Sequence, residues 1–145
     1  MGNVFSSGRE SSLHSEIKKW YFLEGDKFEA KVDDFVVDIV RGDLLIEIQT
    51  ANFSAIKPKL LRLLGDHKVR LVYPIPQMKW IVHRSKVTGE TFGRRRSPKK
   101  GRLFDLFSEL IRIPSLLSKG NLSVEVLMIV LEEVWCDDGG GSWRR

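Results

Sequence analysis

The chain has one cysteine, Cys136, so it cannot close an intramolecular disulfide, and no cysteine and histidine cluster has the spacing of zinc ligands. A reducing, cytoplasmic compartment is the simplest expectation. The opening "MGNVFSSGRESSLHSE" lacks the apolar core that a secretory signal needs, and no uninterrupted apolar run approaches membrane-spanning length. A soluble protein with no membrane association is therefore expected. No internal repeat is present, which sets aside solenoid architectures. An acidic excess is also lacking: 24 lysines and arginines against 19 aspartates and glutamates leave a formal charge of +5, which favours an anionic partner such as nucleic acid.

What is present suits a single folded domain: 145 residues, 42% of them hydrophobic, are enough for a core but cramped for two domains. Residues 1–11 are polar and read as a flexible N-terminal segment, 12–135 as the domain, and 136–145 as a tail cut from a longer protein with a further partner domain behind it. Leu13, Ile17, Trp20 and Tyr21 recur at helical spacing, which predicts a helix over 12–22 capped by Ser11 or Ser12. "KFEAKV", "DFVVDIV" and "DLLIEIQT" read as strands, the last two joined at Arg41-Gly42. Ser54 can cap a helix carrying Ile56, Leu60, Leu61 and Leu64 on one face, with Pro58 acceptable near its first turn. "HKVRLVYPI" and "MKWIVH" read as two strands separated by a turn at Pro74 to Pro76, and "VTGETF" as a hairpin tip. "RRRSPKKGR" holds six basic residues in nine positions and reads as a solvated loop. A helix over 103–111 stopped by Pro114, a long β-branched strand in "NLSVEVLMIVLEEVW", and a loop in "CDDGGGSWRR" complete the pass.

Acidic residues are poor strand formers, so Asp38, Asp43 and Glu47 inside "DFVVDIVRGDLLIEIQT" require a reason. Pairing Val40 with Asp43 puts Phe35, Val37 and Ile39 beside Leu44, Ile46 and Ile48 on a wholly apolar face, which fixes that face as the core side. Asp38, Asp43, Glu47 and Gln49 then share the opposite face. In this register Asp38 lies opposite Leu45 and diagonal to Glu47, a separation of roughly 7 to 8 Å that two carboxylates can close onto one cation. A solvated hairpin face explains the same acids as polar filler, and Asp43, beside the turn, fits that reading best.

The order of elements, an acid-bearing helix, a hairpin with Asp then Glu-x-Gln, a helix and a further buried strand, resembles the PD-(D/E)XK nuclease superfamily. The resemblance covers about residues 12 to 75 and implies a restriction-endonuclease-like α/β core, a central mixed sheet flanked by helices. Asp38 matches the family's first acid and Glu47 its second; Gln49 stands at the usual lysine position, and no proline precedes Asp38. The resemblance further implies a DNA endonuclease that holds Mg²⁺ or Mn²⁺ on Asp38, Glu47 and the Ile48 carbonyl. Gln49 would then orient the water or a phosphate oxygen, a lysine of the following helix, where Lys57 and Lys59 are available, would replace the family's lysine, with Lys57 supplying the missing positive charge, and Glu16 would be an additional acid on the first helix. The alternative is a nuclease-like module without turnover that binds DNA or positions a partner domain. A protein-interaction module with neither DNA nor metal affinity is a third class, and a homodimer is expected where both strands are cut.

Elsewhere, Arg94, Arg95, Arg96, Lys99, Lys100 and Arg102 are candidates for gripping a nucleic-acid backbone. His83 reads as a structural strand histidine or a phosphate contact; His14 and His67 lack partner spacing. Trp20 and Trp80 are expected in the core, and Trp143 as an ordering or partner contact.

Overall fold

The alternating pattern of residues 35–48 forms the expected hairpin, and the elements around it follow the expected order. The computed structural model describes residues 3–7, 10–137, 139 and 143–144. These form β1 (Asn3–Ser7), α1 (Glu10–Tyr21), β2 (Lys27–Val32), β3 (Phe35–Arg41), β4 (Leu44–Ile48), α2 (Phe53–Leu63), β5 (Lys68–Ser85), β6 (Thr91–Arg96), α3 (Leu103–Leu110), α4 (Pro114–Leu117), β7 (Leu122–Asp137) and β8 (Trp143–Arg144). The class is α/β, a mixed sheet with helices, in strand order β1-β7-β5-β4-β3-β2, with β6 added to β5 and β8 to β7. The chain divides into two compact units, one of Met1–Ile17, Ile75–Arg102 and Met128–Arg145, the other of Lys18–Pro74 and Leu103–Leu127.

In the second unit β2, β3 and β4 form an antiparallel meander, and β4 runs parallel to residues 68–72 of β5. Val37, Ile39, Ile46 and Ile48 are buried on one face of the hairpin, and α2 contributes Phe53, Ile56, Leu60 and Leu63 to this unit's core. Phe53 meets Tyr73 edge-on at 5.3 Å between ring centres, a favoured aromatic geometry. The expected cap of α2 is corrected. Asn52, not Ser54, precedes the helix, in a left-handed conformation (φ 57°) without a side-chain cap, and the Phe53 N–H donates instead to Glu109 of α3 at 2.8 Å. Pro58 lies inside α2 rather than at its start. At the other end, the Asn121 amide donates to the carbonyls of Leu64 and His67, which ties off the helix terminus. Trp20 is 48% exposed and does not join the core. Phe104, Phe107 and Ile111, on and just beyond α3, are also exposed.

In the first unit residues 3–7, expected as flexible, are a strand parallel to residues 129–133 of β7, with Phe5 buried. The two strands expected around Pro74 to Pro76 are one, β5. β4 pairs with β5 only as far as Val72 and β6 pairs only from Trp80 onward, so both prolines fall in the gap between these two ladders. The arginine run is likewise not a loop: Arg94, Arg95 and Arg96 belong to β6, antiparallel to β5. The long strand expected in "NLSVEVLMIVLEEVW" is β7. Trp143 and Arg144 pair with Asp137 and Cys136 where a loop was expected; the Trp143 side chain lies outside the described residues.

Candidate carboxylate site

The site begins with the turn between β3 and β4. Gly42 adopts φ 58° and Arg41 pairs with Leu44, so the two-residue turn is Gly42-Asp43 and not Arg41-Gly42. Glycine at the first central position takes the positive φ of a type II′ turn without steric cost, whereas the expected placement would have forced Arg41 into that position. The register shifts by two residues, which keeps every side chain on its expected face. It also moves Asp38 from a diagonal position to one directly opposite Glu47, two steps beyond the Val40–Leu45 pair.

Backbone pairing between β3 and β4 ends at Ile39–Ile46, and the carboxylates take over. The Asp38 N–H donates to Glu47 Oε1 at 3.2 Å, and the Ile48 N–H donates to Asp38 Oδ2 at 2.9 Å. Each acid therefore holds the other's strand. Lys59, on α2, completes the arrangement, with its Nζ 2.7 Å from Glu47 Oε1 and donating to the Val36 carbonyl at 2.6 Å. The cation that the structure places on Glu47 is thus Lys59 and not the expected Lys57, which is half-buried on the same helix.

Glu47 is only 4% exposed, and this burial, then the charge of Asp38, raises its pKa above the ordinary glutamate value. The hydrogen bond and charge of Lys59 oppose that rise. Glu47, Gln49, Ala55, Ile56 and Lys59 line an open recess of about 230 Å³. The Gln49 amide lies at this recess and donates to the carbonyls of Ala51 and Asn52, at 2.6 and 3.3 Å.

A third acid, unnoticed in the sequence, is aligned with this pair. In the β2–β3 register Glu29 falls opposite Asp38, between Phe28–Ile39 and Ala30–Val37. Its backbone turns to φ 46° and its carboxylate bonds Lys18 instead. Consistently, no group of three or more acidic, histidine or cysteine side chains placed to hold a metal occurs among the described residues. Asp43 is exposed and pairs with Lys68, as the solvated reading of it holds. Glu16 is half-buried on α1, in the first unit.

Two carboxylates nonetheless fit a hard divalent cation of the magnesium type, which commonly takes one or two protein carboxylates and fills its remaining positions with water and phosphate oxygens. Glu47, buried beside a second carboxylate, is the kind of group whose ionised form a cation stabilises.

The basic residues are divided in the first unit. Arg94 lies over the Trp80 ring at 4.0 Å and bonds Glu132 at 2.6 Å, so Trp80 is half-buried beneath a cation rather than a core residue. Arg95, Arg96, Lys99 and Lys100 are exposed. His83 meets Trp135 edge-on and lies tilted beside Phe92, in keeping with a structural role. His67 is within 3.3 Å of Asp33, and His14 is half-buried on α1.

No solved structure matches the chain. It is 31% identical over 137 residues to an uncharacterized protein of Treponema pallidum (strain Nichols), an alignment that covers 94% of this chain and 54% of that protein. The chain spans about half the length of the curated relative it matches. The family model described as "Domain of unknown function (DUF8091)" matches residues 11–145, and the chain belongs to that family.

Proposed function

We propose that this chain is a divalent-metal-dependent endonuclease with a restriction-endonuclease-like core, a variant of the PD-(D/E)XK superfamily in which the site's lysine comes from the helix after the hairpin. The observation that carries the reading is the convergence of Asp38, Glu47 and Lys59 on facing strands and the next helix, in a helix, meander, helix and parallel-strand order. A purely structural ion pair accounts less well for a nearly buried glutamate set opposite a second carboxylate, because burying like charges together is unfavourable unless something is gained by it.

In this reading Asp38 and Glu47 hold Mg²⁺ or Mn²⁺, with the Ile48 carbonyl as a third ligand. Bound there, such a cation would activate a water and neutralise charge on a scissile phosphate. The chain's own residues do the rest. The Ile48 N–H fixes the Asp38 carboxylate, and the Asp38 N–H fixes that of Glu47, so both acids are held before substrate arrives. Lys59 supplies a fixed positive charge where phosphoryl oxygens become more negative. Gln49 can neither carry charge nor act as a base; its amide serves to anchor the chain entering α2 and to orient a polar group in the recess. Glu16 and Lys57 have no assigned step, and DNA, met by Arg95, Arg96, Lys99 and Lys100, is the proposed partner.

The test is cleavage of labelled linear, single-stranded, flapped and four-way DNA in Mg²⁺ or Mn²⁺, with chelator and Asp38→Asn as controls. Cation-dependent cutting lost in the variant supports the reading. Folded protein that is inert on all four forms with both metals refutes it. Binding without cutting, unaffected by Asp38→Asn, would favour a DNA-binding module that has lost turnover.

A further inference from the structure

We infer that the first unit carries a binding cleft for one nucleotide of a nucleic-acid strand, with its aromatic base against Trp135 and its phosphate between Arg95 and Lys99. This deepens the proposed function by naming what a second site would take, and it shares no residue with the Asp38–Glu47 pair. The cleft has a volume of about 270 Å³ and is lined by Lys79, Arg95, Ser97, Lys99, Glu133 and Trp135. That volume lies just below the roughly 300–1,000 Å³ of small-ligand sites.

Strand geometry gathers these residues. Ile81 pairs with Arg95, so alternation puts Lys79, Ile81 and Arg95 on one face, and the Ser97 N–H donates to the Lys79 carbonyl at 2.8 Å, which carries the same register one residue beyond β6. Glu133, 8% exposed, forms an ion pair with Lys79 and accepts the Trp135 indole N–H at 3.3 Å. The buried acid thus fixes both a cation and the indole. Three cations against one acid leave the cleft positive, while Trp135 and Ile81 make its wall apolar. A positive rim on an aromatic wall suits a ligand that is both flat and anionic, which is the chemistry of a nucleotide and not of phosphate alone.

A second recess, of about 300 Å³, shares Ser97 and Pro98 with the first and adds Arg96 and Lys100. Arg96 and Lys100 would take the adjacent phosphate, which would favour a strand over a free mononucleotide as the ligand.

Calorimetry with 2′-deoxyadenosine 5′-monophosphate, its nucleoside, inorganic phosphate and the dinucleotide tests this. The monophosphate is expected to bind at least about tenfold more tightly than nucleoside or phosphate, and the dinucleotide more tightly still. R95Q/K99Q, at exposed positions with folding checked by circular dichroism, should weaken the monophosphate at least about tenfold, and R96Q/K100Q should remove only the dinucleotide's advantage. Equal affinity for phosphate and nucleotide, unchanged binding in R95Q/K99Q, or no binding by the wild type overturns the inference. A wild-type chain that binds nucleotide in this way without cutting DNA sinks the nuclease reading alone.

Discussion

Asp38 and Glu47 each accept a backbone N–H from the strand that carries the other, and they do so at the point where the β3–β4 ladder stops. The hairpin is thereby held open at one end by two acids rather than closed by backbone bonds. Lys59 clips the opening by reaching both Glu47 and the Val36 carbonyl. This arrangement gives mutations at the three positions different signatures.

Glu47→Gln separates function from stability. The glutamine can still accept the Asp38 N–H but carries no charge. Because burial raises the pKa of Glu47, the folded chain retains its proton at pH values where the unfolded chain has released it, so this residue makes stability fall as pH rises through the range above the ordinary glutamate value. The slope cannot exceed about 1.4 kcal/mol per pH unit for one proton. Denaturant melts at pH 4, 5, 6 and 7 should show E47Q gaining on the wild type as pH rises; a growing deficit would mean that the ionised acid stabilises the fold.

Asp38→Ala should lose more stability than Asp38→Asn. Alanine leaves the Ile48 N–H without its acceptor, which costs about 1–3 kcal/mol, whereas asparagine keeps a carbonyl in place. Urea unfolding of the two variants measures the difference directly, and equal losses would show that the hydrogen bond contributes nothing.

Lys59→Met and Lys57→Met form an informative pair. Removing Lys59 deprives Glu47 of its cation and should reduce stability by about 1–3 kcal/mol and cleavage by about 100-fold. Lys57→Met should stay within about 0.5 kcal/mol of the wild type. Thermal melts and single-turnover cleavage read both, and the reverse ranking would assign the cation to Lys57.

Acid sensitivity should centre on Asp26. Its carboxylate, with its side chain 2% exposed, takes the Arg41 guanidinium through Nε at 2.9 Å and a second nitrogen at 2.7 Å, and that hydrogen bond lowers its pKa. A lowered pKa contributes stability above the ordinary aspartate value that is lost as pH falls through the depressed one. Asp26→Asn should therefore cost about 1.5–3 kcal/mol at pH 7, the range for hydrogen bonds to charged groups and less than for a fully buried pair, because Arg41 is partly exposed. The gap from the wild type should close in acid; a gap constant down to pH 2 would contradict the assignment.

Much of the second unit was legible in the sequence because its strands bury one face. The apolar set Val37, Ile39, Ile46 and Ile48 fixes the parity of the hairpin whichever two-residue turn is chosen, so the acids were expected on the correct face even with the turn misplaced. The turn itself depends on which residue takes the positive φ, a choice that alternation does not encode. Glu109 capping α2 and Asn121 holding its end are tertiary contacts more than 50 positions away in the chain and leave no local signal. β5 resembles two strands in the sequence because Pro74 and Pro76 mimic a turn unless the gap in pairing between β4 and β6 is known. Glu29 leaves no sequence signal, because its alignment with Asp38 appears only once the β2–β3 register is set.

The most direct measurement is single-turnover cleavage of the preferred DNA form by wild type and E47Q in Mg²⁺, with the stability of each recorded at the same pH. The wild type should cut, and E47Q should be at least as stable and cut less by about 100-fold or more. Equal cleavage by the two, or none by a folded wild type with Mg²⁺ or Mn²⁺, would contradict it and leave Asp38, Glu47 and Lys59 as a clip that only holds the hairpin to its helix.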